Sequence, residues 1–440
     1  MNQILAIPEI RALDDSPLLI RIPNQMDIPV TSRVLRLIDT PVFQRLKHIS
    51  QLGLVSQVYP AANHSRFEHS LGVYRNCLLF LRHLSWDERF QASVSDSDAQ
   101  TLLLAALFHD VGHWPFCHPI EDMGLEGLPR HEALAKEWLA DPSVQQCIEE
   151  DWDTTVDRVV SIINKQGQSK TDQLLASILS GPIDIDKLDY LYRDSLHAGV
   201  PYGQNFDTLR LIRSLCLNKN GDRLAIDRKG RTAAELMVFA RYVMFSEVYW
   251  HHAVRGATAM LQRAFYRSHV SGASIDWMPE FRKGESEFVA AWRQRASSAG
   301  DESVSQILEG LFGPTRRLYK RAASFSFTEN ETLYRALAHQ PYTSLVEIGE
   351  KLASQMSGSL GPDDILIDAP PVKLEVQFNV DVQDTRDQSW CSLGEVSPVV
   401  ETLARTQFDD YVKQVRIFVR RDISLDRKSF DWVHALESAI

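Results

Sequence analysis

Cysteine is scarce in this 440-residue chain, and the five that occur (Cys77, Cys117, Cys147, Cys216 and Cys391) are scattered without a C-x-x-C pair. That excludes a disulfide framework and a zinc ribbon, and it fits reduced thiols in a cytoplasmic protein. Long apolar runs are missing too. "TLLLAALF" (101–108) falls far short of the roughly 18–20 residues a membrane span needs. The opening "MNQILAIPEI" has neither a basic stretch nor a long apolar one, so no secretory signal is expected. Positive charge is in deficit: 47 Lys and Arg against 58 Asp and Glu leave a net charge of −11. Such a surface disfavours non-specific nucleic-acid binding, because phosphate contacts need a positive field. There is no Walker A loop, no G-x-G-x-x-G after a strand and no G-x-S-x-G elbow, which sets aside the usual ATPase, dinucleotide-binding and serine-hydrolase readings. His131-Glu132 opens like the zincin H-E-x-x-H, but Ala135 stands where the second histidine belongs.

What is present is 44% hydrophobic and 24% charged, enough for a large core and more than one domain. The pattern predicts a mainly α chain: an N-terminal segment (1–30), a helical domain (31–270), a helical extension (271–354) and a small C-terminal α/β unit (355–440). Leu71, Tyr74, Leu78 and Leu81 recur at three and four, as one helix face should. Residues 85–98 read as a loop between helices, a second helical stretch runs through 232–265, and the polar segment 281–303 is expected on the surface. After a turn-rich stretch, 372–383 and 413–421 read as strands and 397–412 as a helix.

The richest chemistry lies in "LFHDVGHWPFCH" (107–118), where three histidines and an aspartate follow the apolar run. Neighbours on a helix point about 100° apart, so His109 and Asp110 cannot normally share a metal. Where the helix breaks at Gly112, both can lean toward one point. His69 and Asp186 would complete a set of two histidines and two aspartates, suited to a divalent metal: Mn, Fe, Mg, Ni or Zn. By spacing alone, two of the histidines could equally cap the preceding helix, and His69 could be a core histidine. Asp186, Tyr190 and Asp194 are spaced by four and form one helical stripe with Lys187 beside it, a pattern that a salt-bridge ladder would also give.

The joint order of His69, His109-Asp110 and Asp186, together with residues 38–73 and 183–194, resembles the HD-domain deoxynucleoside triphosphate triphosphohydrolases. A weaker similarity continues into 405–430. The resemblance implies an HD-domain helical core with His69, His109, Asp110 and Asp186 as metal ligands. His113, His118 and His131 would handle protons and phosphate, with His118 linked to attack on the α-phosphorus and paired with Glu121, where the best-known member has aspartate. Arg66 and Lys187 would hold the triphosphate, Tyr190 the sugar face and Asp194 the 3′-hydroxyl. Gln51 and Leu52 would close against the sugar, and Arg241 and Tyr249 would take phosphate and base-side positions. Phe245 replaces a pocket histidine.

Asp207, Arg228, Arg316 and Lys320 fall at regulatory positions for an activating nucleotide, although Cys216 stands at another, basic, position of that site. The family pattern also implies a nucleoside triphosphate substrate and a homo-oligomer, dimer or tetramer. No SAM domain is expected ahead of the HD region. Two other readings stay open: an HD phosphohydrolase of another nucleotide or of single-stranded nucleic acid, and a catalytically quiet nucleotide sensor.

Overall fold

The computed structural model describes residues 3–23, 26–271, 275–356, 360–371, 379–384, 386–405, 412–423 and 430–440. Among the described residues the architecture is mainly α, with three small sheets.

Three helices position the centre of the molecule. Arg66–Leu84 starts at Ser65, whose hydroxyl accepts from the Glu68 amide, and it is buried on almost every side. Asp96–Phe108 opens with a capping box between Ser95 and Asp98, and every residue from Ala99 onward is buried. An apolar run with no polar face is therefore a core helix here. Ile185–Ala198 begins where the Asp184 side chain accepts from the Lys187 amide, and it stops at Gly199 in the left-handed conformation (φ 70°). Both other helices lie against Arg66–Leu84.

Three sequence expectations change. Residues 85–98 are not simply a loop: Asp87 caps a helix, Glu88–Ser93, whose Phe90 is buried. The segment 281–303 is not simply surface. It carries the helix Glu285–Ser298, whose Phe288, Trp292 and Ala296 recur every four residues and bury one face. The stretch 232–265 is interrupted: Arg231–Met244 runs into a π-helical turn, Phe245–Tyr249, before His252–Val270 begins.

The strands are β1 (Leu19–Ile22), β2 (Met26–Pro29), β3 (Leu215–Leu217), β4 (Leu224–Asp227), β5 (Lys320–Phe325), β6 (Ile365–Asp368), β7 (Asp381–Asp384), β8 (Ser389–Ser392) and β9 (Val415–Val419). They form a β1–β2 hairpin, a sheet ordered β3-β4-β7-β8 with β4 and β7 parallel, and an antiparallel sheet ordered β5-β9-β6. Of the strand expected at 372–383, residues 372–378 lie outside the described residues, Asn379 and Val380 are not in a strand, and β7 begins at Asp381. The helix expected at 397–412 is Pro398–Arg405, with 406–411 outside the described residues.

Buried apolar side chains form two large clusters. The first gathers the HD-bearing helices, and it also takes Val380, Val382, Leu393 and Val400. The second is rich in aromatics (Phe265, Trp277, Phe281, Phe288, Trp292) and includes β6 and β9. The segment after Asp110 bridges them: Val111 belongs to the first cluster, and Trp114 and Phe116 to the second. The histidine-rich loop is thus anchored at both ends.

Candidate metal centre and active-site cleft

The polar side chains that meet at this seam form two groups. In the first, His69 Nδ1 lies 2.8 Å from Asp189 Oδ2, and His109 Nδ1 lies 3.0 Å from the Ala106 carbonyl. With both Nδ1 atoms turned to these acceptors, the two Nε2 atoms face each other at 3.2 Å. Asp110 Oδ1 is 3.4 Å from His109 Nε2, and Asp186 Oδ1 is 3.0 Å from His69 Nε2 and 3.8 Å from His109 Nε2. Burial opposes a charge on His69, yet Asp186, Asp189 and Asp110 outweigh it and push that imidazole up to about 10. The same surplus of negative charge, with two imidazoles converging, fits a divalent metal. His69, His109 and Asp110 each offer a ligand atom within 4.8 Å of the others, and Asp186 stands against both histidines.

The sequence stripe drew attention to Asp186 but missed Asp189 and Arg193, which occupy the adjacent face of the same helix. Arg193 forks onto Asp189 at 2.7 and 2.8 Å and reaches Glu68 at 2.6 Å. Their spacing by four was the available signal. Gly72 makes the approach between helices feasible, since a Cβ there would lie 1.8 Å from Asp189 Oδ1. Gly112 does the same for the helix His131–Leu139, its Cβ position lying 1.9 Å from the His131 carbonyl oxygen.

The second group is imidazole-rich. His113 Nε2 is 3.2 Å from His118 Nε2, and the His113 ring lies 4.0 Å from that of His131. Glu121 accepts from the His131 amide at 2.7 Å and from its Nδ1 at 2.9 Å. Burial, and then the charge of Arg66, push His113 well below the usual histidine range and keep it neutral. Arg66 Nη1 donates to Asp110 Oδ2 at 2.6 Å, while its Nε is buried without a partner.

Both groups line one cleft of about 840 Å³, shared with Gln51, Arg66 and Tyr190. An adjoining cavity of about 200 Å³ is lined by Gln51, Leu52, Arg66, His118 and Tyr249. The π-helical turn brings Tyr249, whose Oη donates to Asp194 Oδ2 at 2.5 Å, and His64 Nε2 meets the other Asp194 oxygen at 3.0 Å. Lys187 Nζ donates to Asp184 Oδ2 at 2.6 Å. Arg241 lies over the Phe245 ring at 5.6 Å. The four regulatory candidates lie in other settings. Asp207 caps the helix Thr208–Arg213, Arg228 pairs with Asp384, Arg316 donates to the Gln57 carbonyl, and Lys320 is exposed at the start of β5.

Residues 66–191 match the HD domain, and residues 206–422 match the HD associated region. The chain belongs to the HD-domain phosphohydrolases. Relatives of this HD-domain chain include an uncharacterised protein of Methanocaldococcus jannaschii, 29% identical over 383 residues (86% of this chain, 74% of the relative). The Bacillus subtilis protein YwfO is 35% identical over 237 residues, covering 53% of this chain and 51% of its own length. The deoxynucleoside triphosphate triphosphohydrolase SAMHD1 of Gallus gallus is 26% identical over 393 residues, covering 82% and 62%. The chain therefore spans only about half to three-fifths of the last two relatives. A hypothetical protein from Aquifex aeolicus has a similar solved structure (TM-score 0.71, 27% identity, 92% of this chain and 96% of that one). A phosphohydrolase from Bacteroides thetaiotaomicron shares the fold (TM-score 0.69, 23% identity, 92% and 100%).

Proposed function

We propose that this HD-domain enzyme hydrolyses deoxynucleoside triphosphates to deoxynucleoside and tripolyphosphate, by attack of water on the α-phosphorus. The observation that carries the reading is the shared cleft. The site fitted for a dication and the His113, His118, His131 cluster open onto the same space. A divalent metal held by His69, His109, Asp110 and Asp186 would polarise phosphate oxygen and lower the pKa of water.

The chain's own side chains do the rest. His118, exposed at the cleft and next to neutral His113, is placed to move a proton at the attacking or leaving oxygen. Glu121 orients His131 behind them. Arg66 Nε, buried without a partner, is a donor suited to phosphate oxygen. Gln51 Oε1 is likewise buried and unpaired, an acceptor for a sugar hydroxyl. Lys187 would answer the triphosphate, Tyr190 the sugar face, and Asp194, backed by Tyr249 and His64, the 3′-hydroxyl. Leu52 closes the sugar side and Arg241 the phosphate side.

In the same reading the protein acts as a homo-oligomer in the cytoplasm. All five cysteines are free, and no helix among the described residues is long and apolar enough to cross a membrane. An activating nucleotide would use Arg316 and Lys320, with Asp207 and Arg228 as further contacts. Phe245, in contact with Arg241, supports a second reading in which another nucleotide is the substrate, since an apolar ring stacks on a base but donates no hydrogen bond to phosphate.

The test is incubation of the Mn²⁺-loaded protein with each dNTP and NTP, singly and mixed, with products resolved by ion exchange. Deoxynucleoside plus tripolyphosphate supports the proposal. Turnover of other nucleotides alone would transfer it to the second reading, and turnover only in mixtures would reveal activation.

A further inference from the structure

Cys117 has no place in the mechanism above, yet its sulfur belongs to the imidazole cluster. One ligand atom from each of His113, Cys117, His118 and His131 lies within 4.8 Å of every other. Two of the imidazoles are already oriented as ligands. His113 Nδ1 lies 3.2 Å from the Asp110 carbonyl, and His131 Nδ1 is held by Glu121 at 2.9 Å, so each turns Nε2 inward. A carboxylate or carbonyl behind a histidine is the usual way a ligating ring is fixed. The His113 and His118 Nε2 atoms stand 3.2 Å apart, close to the separation of two ligands in a tetrahedral site with bonds of about 2.0–2.1 Å. Glu132 Oε1, 3.5 Å from His131 Nε2, adds negative charge at the rim.

The donor chemistry differs from that of the neighbouring centre. Two imidazoles and two carboxylates suit harder cations, whereas three imidazoles and a thiolate select zinc or another thiophilic ion. Access is available, because His118 is exposed and His131 half-buried, while His113 and Cys117 form the floor.

We propose that His113, Cys117, His118 and His131 form a second metal site, selective for Zn²⁺, whose occupation switches the enzyme off. Binding replaces the thiol proton of Cys117, which is released to solvent as the Zn–S bond forms. The three imidazoles then spend their Nε2 lone pairs on the ion and no longer exchange protons at phosphate. The binding half stands on geometry alone. The inhibitory half rests on the proton-transfer role proposed above.

The experiment uses the full chain loaded with Mn²⁺ and titrated with Zn²⁺ by equilibrium dialysis, with Co²⁺ as a spectroscopic probe. Wild type should bind one more Zn²⁺ per chain than Cys117→Ser at the same free zinc, and should show sulfur-to-cobalt charge-transfer absorption that the variant lacks. His118→Gln, at an exposed position, should weaken that extra site at least tenfold. Equal zinc content in wild type and Cys117→Ser, or absence of the charge-transfer band, overturns the site. On any nucleotide that is turned over, zinc filling the site should cut the wild-type rate at least tenfold, and the Cys117→Ser rate by less than twofold relative to its own zinc-free value. Zinc bound at Cys117 without that loss overturns the switch and keeps the site. If no nucleotide is turned over, the functional reading fails while the binding arm still decides the site.

Discussion

His69 and Asp189 are joined at 2.8 Å through Nδ1, and the same carboxylate receives the Arg193 fork. Burial opposes the charge on Asp189, but Arg193 and His69 outweigh it and hold the carboxyl far below its usual range. The aspartate is therefore a fixed anion whose lone pairs set the orientation of the His69 ring. Asp189→Asn should weaken metal binding roughly 10- to 100-fold, the cost of losing such a partner, with secondary structure kept. Metal titration monitored by bound Mn²⁺ decides it, and wild-type affinity in the variant would mean that something else orients His69.

Gly72→Ala tests the same relationship from the opposite helix. The new methyl would overlap Asp189 Oδ1 and stand 2.5 Å from Arg193 Nη2. Displacing one partner of a buried pair costs about 3–5 kcal/mol, so the melting temperature should drop by several degrees and metal content should fall with it. An unchanged melting curve would show that the helices can part without loss.

Glu121→Gln leaves a side chain of the same shape that binds the His131 proton less strongly. If the imidazole cluster moves protons, kcat should fall by roughly 10²-fold or more while KM stays nearly constant and the pH–rate profile loses one limb. A fall confined to KM would instead place Glu121 in substrate binding.

Removal of metal should be felt by the whole fold. Carboxylates of Asp110 and Asp186 crowd two imidazoles, and a cation bound at 100 times its Kd adds about 2.7 kcal/mol to stability. Chelation should lower the melting temperature of wild type and Mn²⁺ should restore it. His109→Ala and Asp110→Ala should show neither change and should lose turnover. Identical responses in wild type and variants would place the stabilising ion elsewhere.

Spacing made much of this readable. A stripe at every fourth residue drew attention to Asp186, Tyr190 and Asp194, and the family resemblance joined Asp186 to His69 and the His109-Asp110 pair. The helix expected to break at Gly112 ends earlier, at Phe108, so that His109 caps it. Asp189 and Arg193 escaped because they serve the adjacent face, and their worth depends on a glycine across the helix interface. Glu285–Ser298 looked polar because most of its residues are, while the three that bury it are spread one per turn. Sheet order escaped for a different reason: alternation along a strand states which face is buried and says nothing about its neighbours.

The position of β9 sets an order in time. β5 and β6 flank it and pair with it on both sides, though β5 ends at Phe325 and β9 begins only at Val415. A ribosome releases β5 and β6 before their common partner exists, leaving two unpaired edges that invite misassociation. The aromatic cluster that grips Trp114 and Phe116 includes β9, so the histidine-bearing loop, though translated early, gains its last anchor when that strand arrives. Completion of the cluster that anchors the histidine-bearing loop thus waits for residues made long after the loop itself.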